Sequence, residues 1–324
     1  MEPALELRGI SKRFGSTTAV DSLDLVVPRG GLYGFIGPSG AGKTTCIRLI
    51  MAILFPDSGE LSVLGRRSAL EAKDRIGYLP EERGVYRKMR VGAFLVYVAQ
   101  LKGLARGEAE ARVPRLLERI GLSGTEGKRC EDMSKGMLQR MQFIAAIVHR
   151  PDLVILDEPF SGLDPVSVRA LRDLIVEEHR RGATILLSTH VMAYAEDICQ
   201  HVVMIHQGRK VLDQPMDGLR RQYDPRVIRF EPLDPGADLS PLLALSAVER
   251  VSAVDGGYQI LLAEGASPSA SIPLIAATVA PARIELSRLR LEDLFVRIVM
   301  GGGTTDEVTR ALRADLQETG GAFA

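Results

Sequence analysis

Apolar residues recur along the first two thirds of the chain in two patterns, short continuous runs and longer amphipathic stretches. The short runs have the composition of strands buried within a sheet, and they occupy residues 31–36, 153–156 and 183–188. The longer stretches place apolar residues at helical spacing, and they occupy residues 45–51, 134–149 and 165–181. Because strands and helices alternate, the pattern predicts an α/β domain with parallel strands.

The rest of this region contains shorter strands and a mainly helical segment. Strands are predicted at residues 5–10, 19–27, 75–80, 202–206 and 210–212. The segment 11–18, between the first two strands, is predicted to be a loop. Two helices are predicted at 91–103 and 107–120, within a helical insertion at about 84–130.

The composition changes after about residue 217, because no lysine follows Lys210 and apolar residues alternate more often. Predicted elements then follow in the order β-α-β-β-α-β, at residues 226–230, 239–245, 248–254, 257–262, 269–279 and 283–286. This order predicts a small ferredoxin-like α+β domain, followed by a helix at 291–300. The predicted division is an α/β domain at 1–217, a linker at 218–226, an α+β domain at 227–300 and a mobile tail at 301–324.

Bulk properties exclude several classes of protein. The 324 residues include 41 Lys and Arg and 41 Asp and Glu, so the net charge of zero predicts no general attraction to nucleic acid or anionic lipid. The N-terminal residues are charged throughout and no long apolar run occurs, so neither a signal peptide nor a membrane span is predicted. Cys46, Cys130 and Cys199 are far apart and are interpreted as small apolar core residues in a reducing compartment.

Residues 37–45 match the pattern Gly-x-x-x-x-Gly-Lys-[Ser/Thr] and lie between a predicted strand and a predicted helix. In such a loop, backbone N–H groups surround phosphate oxygens, a lysine reaches the outer phosphates and a hydroxyl holds Mg²⁺. The dipole at the start of the helix adds to the attraction for the anion. The residues predicted to bind here are Gly37, Ser39, Gly40, Ala41, Gly42, Lys43, Thr44 and Thr45.

Ionisable residues follow two of the predicted buried strands. Asp157 and Glu158 come directly after one apolar run, and His190 follows the next. Ligand sites in open α/β sheets lie at the carboxyl ends of strands, so these side chains are predicted to share one edge of the sheet. Asp157 is the predicted Mg²⁺ ligand together with Thr44, and Glu158 is the predicted base that orients water. A histidine considered alone more often has a structural role.

Five short motifs follow one another in a fixed order within residues 4–217. They are the loop at 37–45, Ser134-x-Gly136, Leu156-Asp157-Glu158-Pro159, Ser161-Gly162-Leu163-Asp164, and His190. In this order they resemble the ATP-binding cassette (ABC) ATPases, a family with a P-loop α/β fold and a helical subdomain. The resemblance implies hydrolysis of ATP with Mg²⁺ in a head-to-tail dimer, which holds two ATP molecules between its halves.

The resemblance also implies a role for each matching residue. Lys43 and Thr44 are implied to bind phosphate and Mg²⁺, and Asp157 to hold the same metal. Glu158 is implied to be the catalytic base, and His190 to contact the γ-phosphate. These assignments agree with the chemistry that the residue types themselves predict.

Four further residues are implied to act at the edges of the site. Ser134 and Gly136 are implied to complete the site of the other subunit, which suits a serine at a helix N-terminus. Asp164 is implied to belong to the loop that communicates between the two sites, and Phe14 to stack on adenine. The structural alternatives are helix capping for Ser134 and core packing for Phe14.

The chain departs from the usual family pattern at two places. The motif that commonly reads Leu-Ser-Gly-Gly-Gln here has Lys135 after the serine and Met137 in place of the glutamine. Glu81 stands where a glutamine is usual, so it is a candidate metal ligand that adds a negative charge near the γ-phosphate. The alternative is a solvated loop charge. These departures leave the strength of coupling between hydrolysis and a partner open.

The sequence Tyr78-Leu79-Pro80-Glu81-Glu82 is similar to that found in ABC ATPases serving bacterial export systems, including sodium-extruding and drug-resistance exporters. This similarity implies a peripheral subunit on the cytoplasmic face of the membrane, with a separate permease as partner. The second ATPase subunit is a further copy or a paralogue, and no nucleic acid is involved. Two alternatives are a soluble ABC ATPase of translation or DNA maintenance, and a regulatory module that binds ATP with little turnover.

Overall fold

The structure is a computed structural model, and it describes residues 2–82, 84–222, 226–254, 256–287 and 290–300. The chain divides into two compact units, Met1–Met216 and Asp217–Ala324. Each unit has its own core of buried apolar side chains. The two units are therefore described separately.

The first unit is built on a six-stranded sheet with the order β5-β6-β7-β3-β8-β9. Its strands are β3 (Leu32–Ile36), β5 (Ile76–Leu79), β6 (Leu153–Asp157), β7 (Thr184–Thr189), β8 (His201–His206) and β9 (Arg209–Pro215). All neighbouring pairs are parallel except β8 and β9. Every residue of β3, β6 and β7 is buried, as expected for strands covered on both faces. The predicted parallel α/β sheet is thus confirmed.

A second, antiparallel sheet has the order β2-β1-β4, with β1 at Leu5–Phe14, β2 at Thr17–Val27 and β4 at Ser58–Val63. The predicted loop at 11–18 is wrong, because Phe14 pairs with Thr17 and both strands continue to a tight turn. Gly15 supplies the positive φ of 58° that this turn uses. Strand pairing across the turn was not visible from hydrophobic alternation, since the tip is largely polar.

The first unit has six α-helices in the described residues: α1 (Lys43–Ile50), α2 (Val91–Leu101), α3 (Arg106–Arg119), α4 (Lys135–Ile147), α5 (Pro165–Arg180) and α6 (Met192–Ile198). A seventh helix, α7 (Met216–Gln222), begins at the last residue of the first unit and continues into the second. Short 3₁₀ helices lie at Ala69–Arg75 and Cys130–Asp132. The helices predicted from amphipathic spacing agree with these bounds to within about two residues. Helix α7 extends into the predicted linker at 218–226 as far as Gln222.

Burial explains two smaller features of the first unit. The three cysteines are free and buried, and burial raises the pKa of Cys46 and Cys199 to about 12. They are therefore packing residues, as expected. No helix among the residues described is both long and apolar enough to cross a membrane.

The second unit contains a four-stranded antiparallel sheet with the order β11-β12-β10-β13. Its elements are β10 (Val227–Pro232), β11 (Val248–Val254), β12 (Gly257–Leu262), α8 (Pro268–Thr278), β13 (Pro281–Leu286) and α9 (Leu291–Met300). The predicted helix at 239–245 is only a short 3₁₀ helix, Ser240–Ala244. The predicted tail at 301–324 lies outside the described residues.

Candidate active site

The glycine-rich loop connects β3 to α1, as predicted, and its geometry requires glycine at both ends. Gly42 caps α1 with φ of 106°, and a Cβ there would lie 2.2 Å from the carbonyl oxygen of Ala19. A Cβ on Gly37 would lie equally close to the carbonyl oxygen of Ile205. No side chain caps the first turn of α1, which leaves its N–H groups to face an anion.

Lys43 lies folded over this loop and is only 6% exposed. Its Nζ donates to the carbonyl oxygens of Gly37, at 2.7 Å, and Pro38, at 3.0 Å. The carboxylate of Glu158 is 3.8 Å away. Burial lowers the pKa of Lys43, while the nearby carboxylates, Glu158 first among them, act in the opposite direction. The ammonium group is thus held beside the loop, within reach of a bound phosphate.

Asp157 ends β6 and is completely buried. The Oγ of Ser188 donates to its Oδ1, and the Oγ1 of Thr44 lies 3.4 Å from the same atom. The other oxygen, Oδ2, has no hydrogen-bond partner within the described parts of the chain. Burial raises the pKa of Asp157, and the bonds from Ser188 and Thr44 oppose that effect. The site therefore holds a desolvated carboxylate oxygen that needs a donor or a cation.

Glu158 and His190 contact each other at the same sheet edge. The Nδ1 of His190 lies 2.9 Å from Oε1 of Glu158, and the Glu158 side chain is 9% exposed. The Glu158 backbone has φ of 49°, which is uncommon outside glycine, and its N–H donates to the carbonyl oxygen of Ser188 at 3.1 Å. Backbone strain of this kind concentrates at functional sites. The predicted base thus has a fixed orientation.

Glu81 completes the acidic side of the cavity. Its Oε2 lies 3.4 Å from the Oγ1 of Thr44, although the residue as a whole is exposed. The cavity has a volume of about 440 Å³. It is lined by Thr17, Thr18, Ala19, Ser39, Gly40, Gly42, Lys43, Thr44, Thr45, Glu81, Glu158, His190, Gln207 and Gly208. The structure therefore brings the loop, the base and the histidine around one space.

Seven predicted residues are not among those that line this cavity, namely Phe14, Gly37, Ala41, Ser134, Gly136, Asp157 and Asp164. Phe14 ends β1 with 49% of its surface exposed, and Lys12 Nζ lies 5.8 Å from the centre of its ring. Ser134 is exposed at the start of α4, where its Oγ accepts a hydrogen bond of 3.3 Å from the N–H of Met137. The predicted cap at Ser134 is thus present.

Gly136 and Asp164 also lie outside the cavity. A Cβ on Gly136 would meet only Leu163, at 3.6 Å, and the carbonyl oxygen of Gly162. Asp164 caps α5, because it accepts bonds from the N–H and the Oγ of Ser167 at 2.9 and 2.6 Å. These bonds lower the pKa of Asp164. In a single chain, Asp164 therefore acts as a helix cap.

Sequence reasoning missed several residues that form the site. Ser188 was the easiest of these to predict, because β6 and β7 are neighbouring strands and Ser188 pairs with Asp157. Gln139 is buried in α4 and donates to the carbonyl oxygen of Pro159 at 3.2 Å. Gly208 contributes an N–H bond to Ala41 that was not predictable from local pattern.

A phosphate-binding loop between strand and helix, with two acids at the end of a nearby strand, defines a P-loop nucleoside triphosphatase. The family model described as ABC transporter matches residues 20–161. The chain is 35% identical over 295 residues to the uncharacterized ABC transporter ATP-binding protein YhaQ of Bacillus subtilis, covering 91% of this chain and 98% of that protein. The chain therefore belongs to the ABC transporter ATP-binding proteins, and its ATPase fold and enzyme class follow.

Two further comparisons agree. The chain is 37% identical over 212 residues to the Nod factor export ATP-binding protein I of Cupriavidus pinatubonensis, covering 64% of this chain and 65% of that protein. A solved structure described as an ATP binding subunit of an ABC transporter is 33% identical, with a TM-score of 0.64. The similarity covers 74% of this chain and 98% of that structure.

Proposed function

We propose that this chain hydrolyses MgATP as the motor subunit of a bacterial exporter and drives a separate membrane permease. The observation that supports this most is the convergence of Lys43, Thr44, Glu158 and His190 around one cavity, with Asp157 3.4 Å from the Thr44 hydroxyl. The similarity to a Nod factor export protein favours export. Subunits of this family generally work with permeases, which favours a peripheral position on the cytoplasmic face of the membrane.

The residues around Thr44 fit Mg²⁺. Oδ2 of Asp157 is buried without a hydrogen-bond partner among the residues that are described, so a cation would satisfy it. The Thr44 hydroxyl and the Glu81 carboxylate are oxygen ligands of the type that Mg²⁺ prefers. When bound, the ion neutralises charge on the outer phosphates. We assign Thr44, Asp157 and Glu81 to hold it, directly or through water.

The other side chains divide the chemistry of hydrolysis. Lys43 exchanges its two carbonyl partners for outer phosphate oxygens when nucleotide enters. Glu158 accepts the proton of the attacking water, because it is an oriented carboxylate at the open edge of the sheet. His190, which Glu158 holds at 2.9 Å, contacts the γ-phosphate with its other ring nitrogen.

We assign completion of the site to a second subunit, identical or paralogous. Ser134 is exposed at the start of the thirteen-residue helix α4 and lies outside its own chain's cavity. A helix start with a hydroxyl suits an anion that arrives from another chain. Gly136 leaves room for close approach, and Asp164 lies on the loop between the two sites. Phe14, exposed at its strand end, would stack on adenine. The second unit would support the dimer or regulate it.

Glu81 keeps a second function open, a regulatory module that binds ATP with little turnover. Glu81 stands where the family usually has a glutamine, and a third carboxylate near Thr44 puts a negative charge where the attacking water would have to be oriented, which favours slow turnover. The rate of phosphate release by the purified protein separates the two functions. A motor subunit releases phosphate on many turnovers, whereas a regulatory module retains its nucleotide.

The exporter assignment is tested by co-expression with a candidate permease from the same genome. We expect the chain to sediment with membranes only when that protein is present, and we expect the complex to hydrolyse ATP. A chain that stays in the soluble fraction in both cases, or binds ribosomes or DNA, contradicts the assignment. Expression with an unrelated permease is the matched control.

A further inference from the structure

A second cavity of the first unit is lined by arginines and lies away from the nucleotide pocket. It has a volume of about 300 Å³ and lies between α3, α5 and the residue Arg150 that follows α4. Four arginines and three glutamates line it. The arginines are Arg112, Arg115, Arg119 and Arg150. We call this space the arginine cavity.

Two of the three glutamates already have arginine partners. Glu177 accepts two bonds from the Arg119 guanidinium, one of them 2.6 Å long. Glu178 accepts a bond of 2.7 Å from Arg181. Arg115 and Arg150 make no ion pair within the described residues. The arginine cavity therefore has more cationic side chains than its own acids neutralise.

Arg112 shows the effect of this excess most clearly. Its side chain is 17% exposed, and its Nε is buried with no hydrogen-bond partner in the described chain. The nearest acid, Glu178, lies 3.7 Å away and is already bound to Arg181. Burial lowers the pKa of Arg112, and repulsion from Arg150 lowers it further by more than Glu178 raises it. A guanidinium group whose buried Nε has no partner, and whose one nearby acid is shared with Arg181, favours an additional anion.

We propose that the arginine cavity binds a small phosphorylated metabolite by its phosphate group, with Arg112 and Arg150 as the main donors. The planar guanidinium fork matches phosphate oxygens bidentately. A volume of about 300 Å³ is at the small end of ligand pockets, which fits a phosphate group with a compact body. A bound anion would link Arg112 on α3, in the helical insertion, to Arg150 beyond α4. The arginine cavity shares no lining residue with the nucleotide pocket, so binding there does not need nucleotide.

The test uses the full-length chain with Lys43→Ala, which weakens phosphate binding at the nucleotide loop. Inorganic pyrophosphate is titrated by calorimetry at constant ionic strength, with and without Arg112→Gln or Arg150→Gln added. We expect each added change to weaken pyrophosphate binding at least ~10-fold, the loss of a charged hydrogen bond. Arg106→Gln is the matched control, because this arginine is on the same helix but pairs with Glu110 at the surface. It should leave the affinity unchanged.

Two results would overturn the proposal. One is no measurable binding of pyrophosphate to the Lys43→Ala protein, and the other is equal affinity with and without Arg150→Gln. Arg150 is exposed, so its variant remains decisive if Arg112→Gln fails to fold. ATP hydrolysis by the otherwise unchanged protein is measured separately, so failure here does not bear on the proposed function.

Discussion

Helices α1 and α4 both begin at a site suited to phosphate, but their surroundings differ. The start of α1 has a glycine cap and a buried lysine, and it faces the carboxylates of Asp157 and Glu158. The start of α4 is exposed, and the hydroxyl of Ser134 caps it. Neither helix has an acidic residue in its first turn.

This difference is the basis of our proposal that one chain contains only half of the chemistry. At α1 the ammonium group of Lys43, the Asp157 carboxylate that we propose to hold Mg²⁺ and the proposed base Glu158 lie close together, so phosphate binding and water activation would both use side chains of one chain. At α4 the N–H groups and the hydroxyl of Ser134 have no such partners in the described parts of the same chain. We therefore propose that a chain whose helix α4 begins in solvent with Ser134 needs a second chain to complete its ATPase site.

The largest expected effect is at the α1 side. Glu158→Gln keeps the shape of the side chain but removes the base, so turnover should fall by ~10²-fold or more while ATP binding is retained. Phosphate release and nucleotide binding measure the two quantities. Glu82→Gln, a change at an exposed glutamate paired with Arg48, is the control and should be near normal. Near-normal turnover of Glu158→Gln would show that Glu158 is not the catalytic base.

The next effect concerns stability at the far end of α4. His149 is buried there, and burial, followed by Lys102, lowers its pKa to about 4. Below an ordinary histidine pKa of about 6.5 the unfolded chain binds the proton first, so stability is full above that pH and is lost toward pH 4. Between pH 7 and pH 5 we expect a loss of about 2 kcal/mol in the free energy of unfolding.

Urea unfolding at both pH values measures this loss. The variant His149→Gln should show a pH dependence smaller by the same amount, whereas nucleotide affinity at pH 7 should be unchanged. An equal pH dependence in the variant would show that His149 is not the group responsible. This result would sharpen the contrast, because it separates the stability of α4 from the chemistry at α1.

A smaller effect is expected from the serine behind Asp157. Ser188→Ala removes the hydrogen bond that orients Oδ1 of Asp157, and a partner of this kind is worth about 10-fold in metal affinity. Titration of ATP binding with Mg²⁺ measures the change. ATP binding without Mg²⁺ is the internal control and should be unaltered. Equal Mg²⁺ dependence in both proteins would mean that Asp157 does not depend on this contact.

The smallest effect is at the α4 cap itself. Ser134→Ala removes one capping hydrogen bond, which should lower the free energy of unfolding by about 0.5–1 kcal/mol. Binding of ATP to the single chain should not change, because Ser134 does not line the cavity. Thermal unfolding measures the change in stability, and nucleotide titration measures the affinity of the single chain for ATP. Weaker ATP binding by the single chain would mean that Ser134 contributes to the nucleotide site of its own chain. The difference between the starts of α1 and α4 would then not hold.

The sequence was informative where chemistry is local. Lys43 and Thr44 follow from one loop motif, and Asp157, Glu158 and His190 follow from the rule that ligand sites lie at the ends of parallel strands. The extent of β1 was missed, because pairing with β2 overrides a polar local pattern. The arginine cavity was missed since Arg112 and Arg150 come from separate elements, and only the folded chain brings them together.

The most direct test of the shared site mixes two inactive proteins. Ser134→Arg blocks the contribution of α4 to the partner, and Lys43→Ala disables the chain's own phosphate loop. Each protein alone should be inactive, but a mixed dimer has one intact site. An equal mixture should therefore regain up to about a quarter of the wild-type rate, since half of random pairs are mixed. No recovery of ATP hydrolysis at any mixing ratio would contradict a site built from two chains.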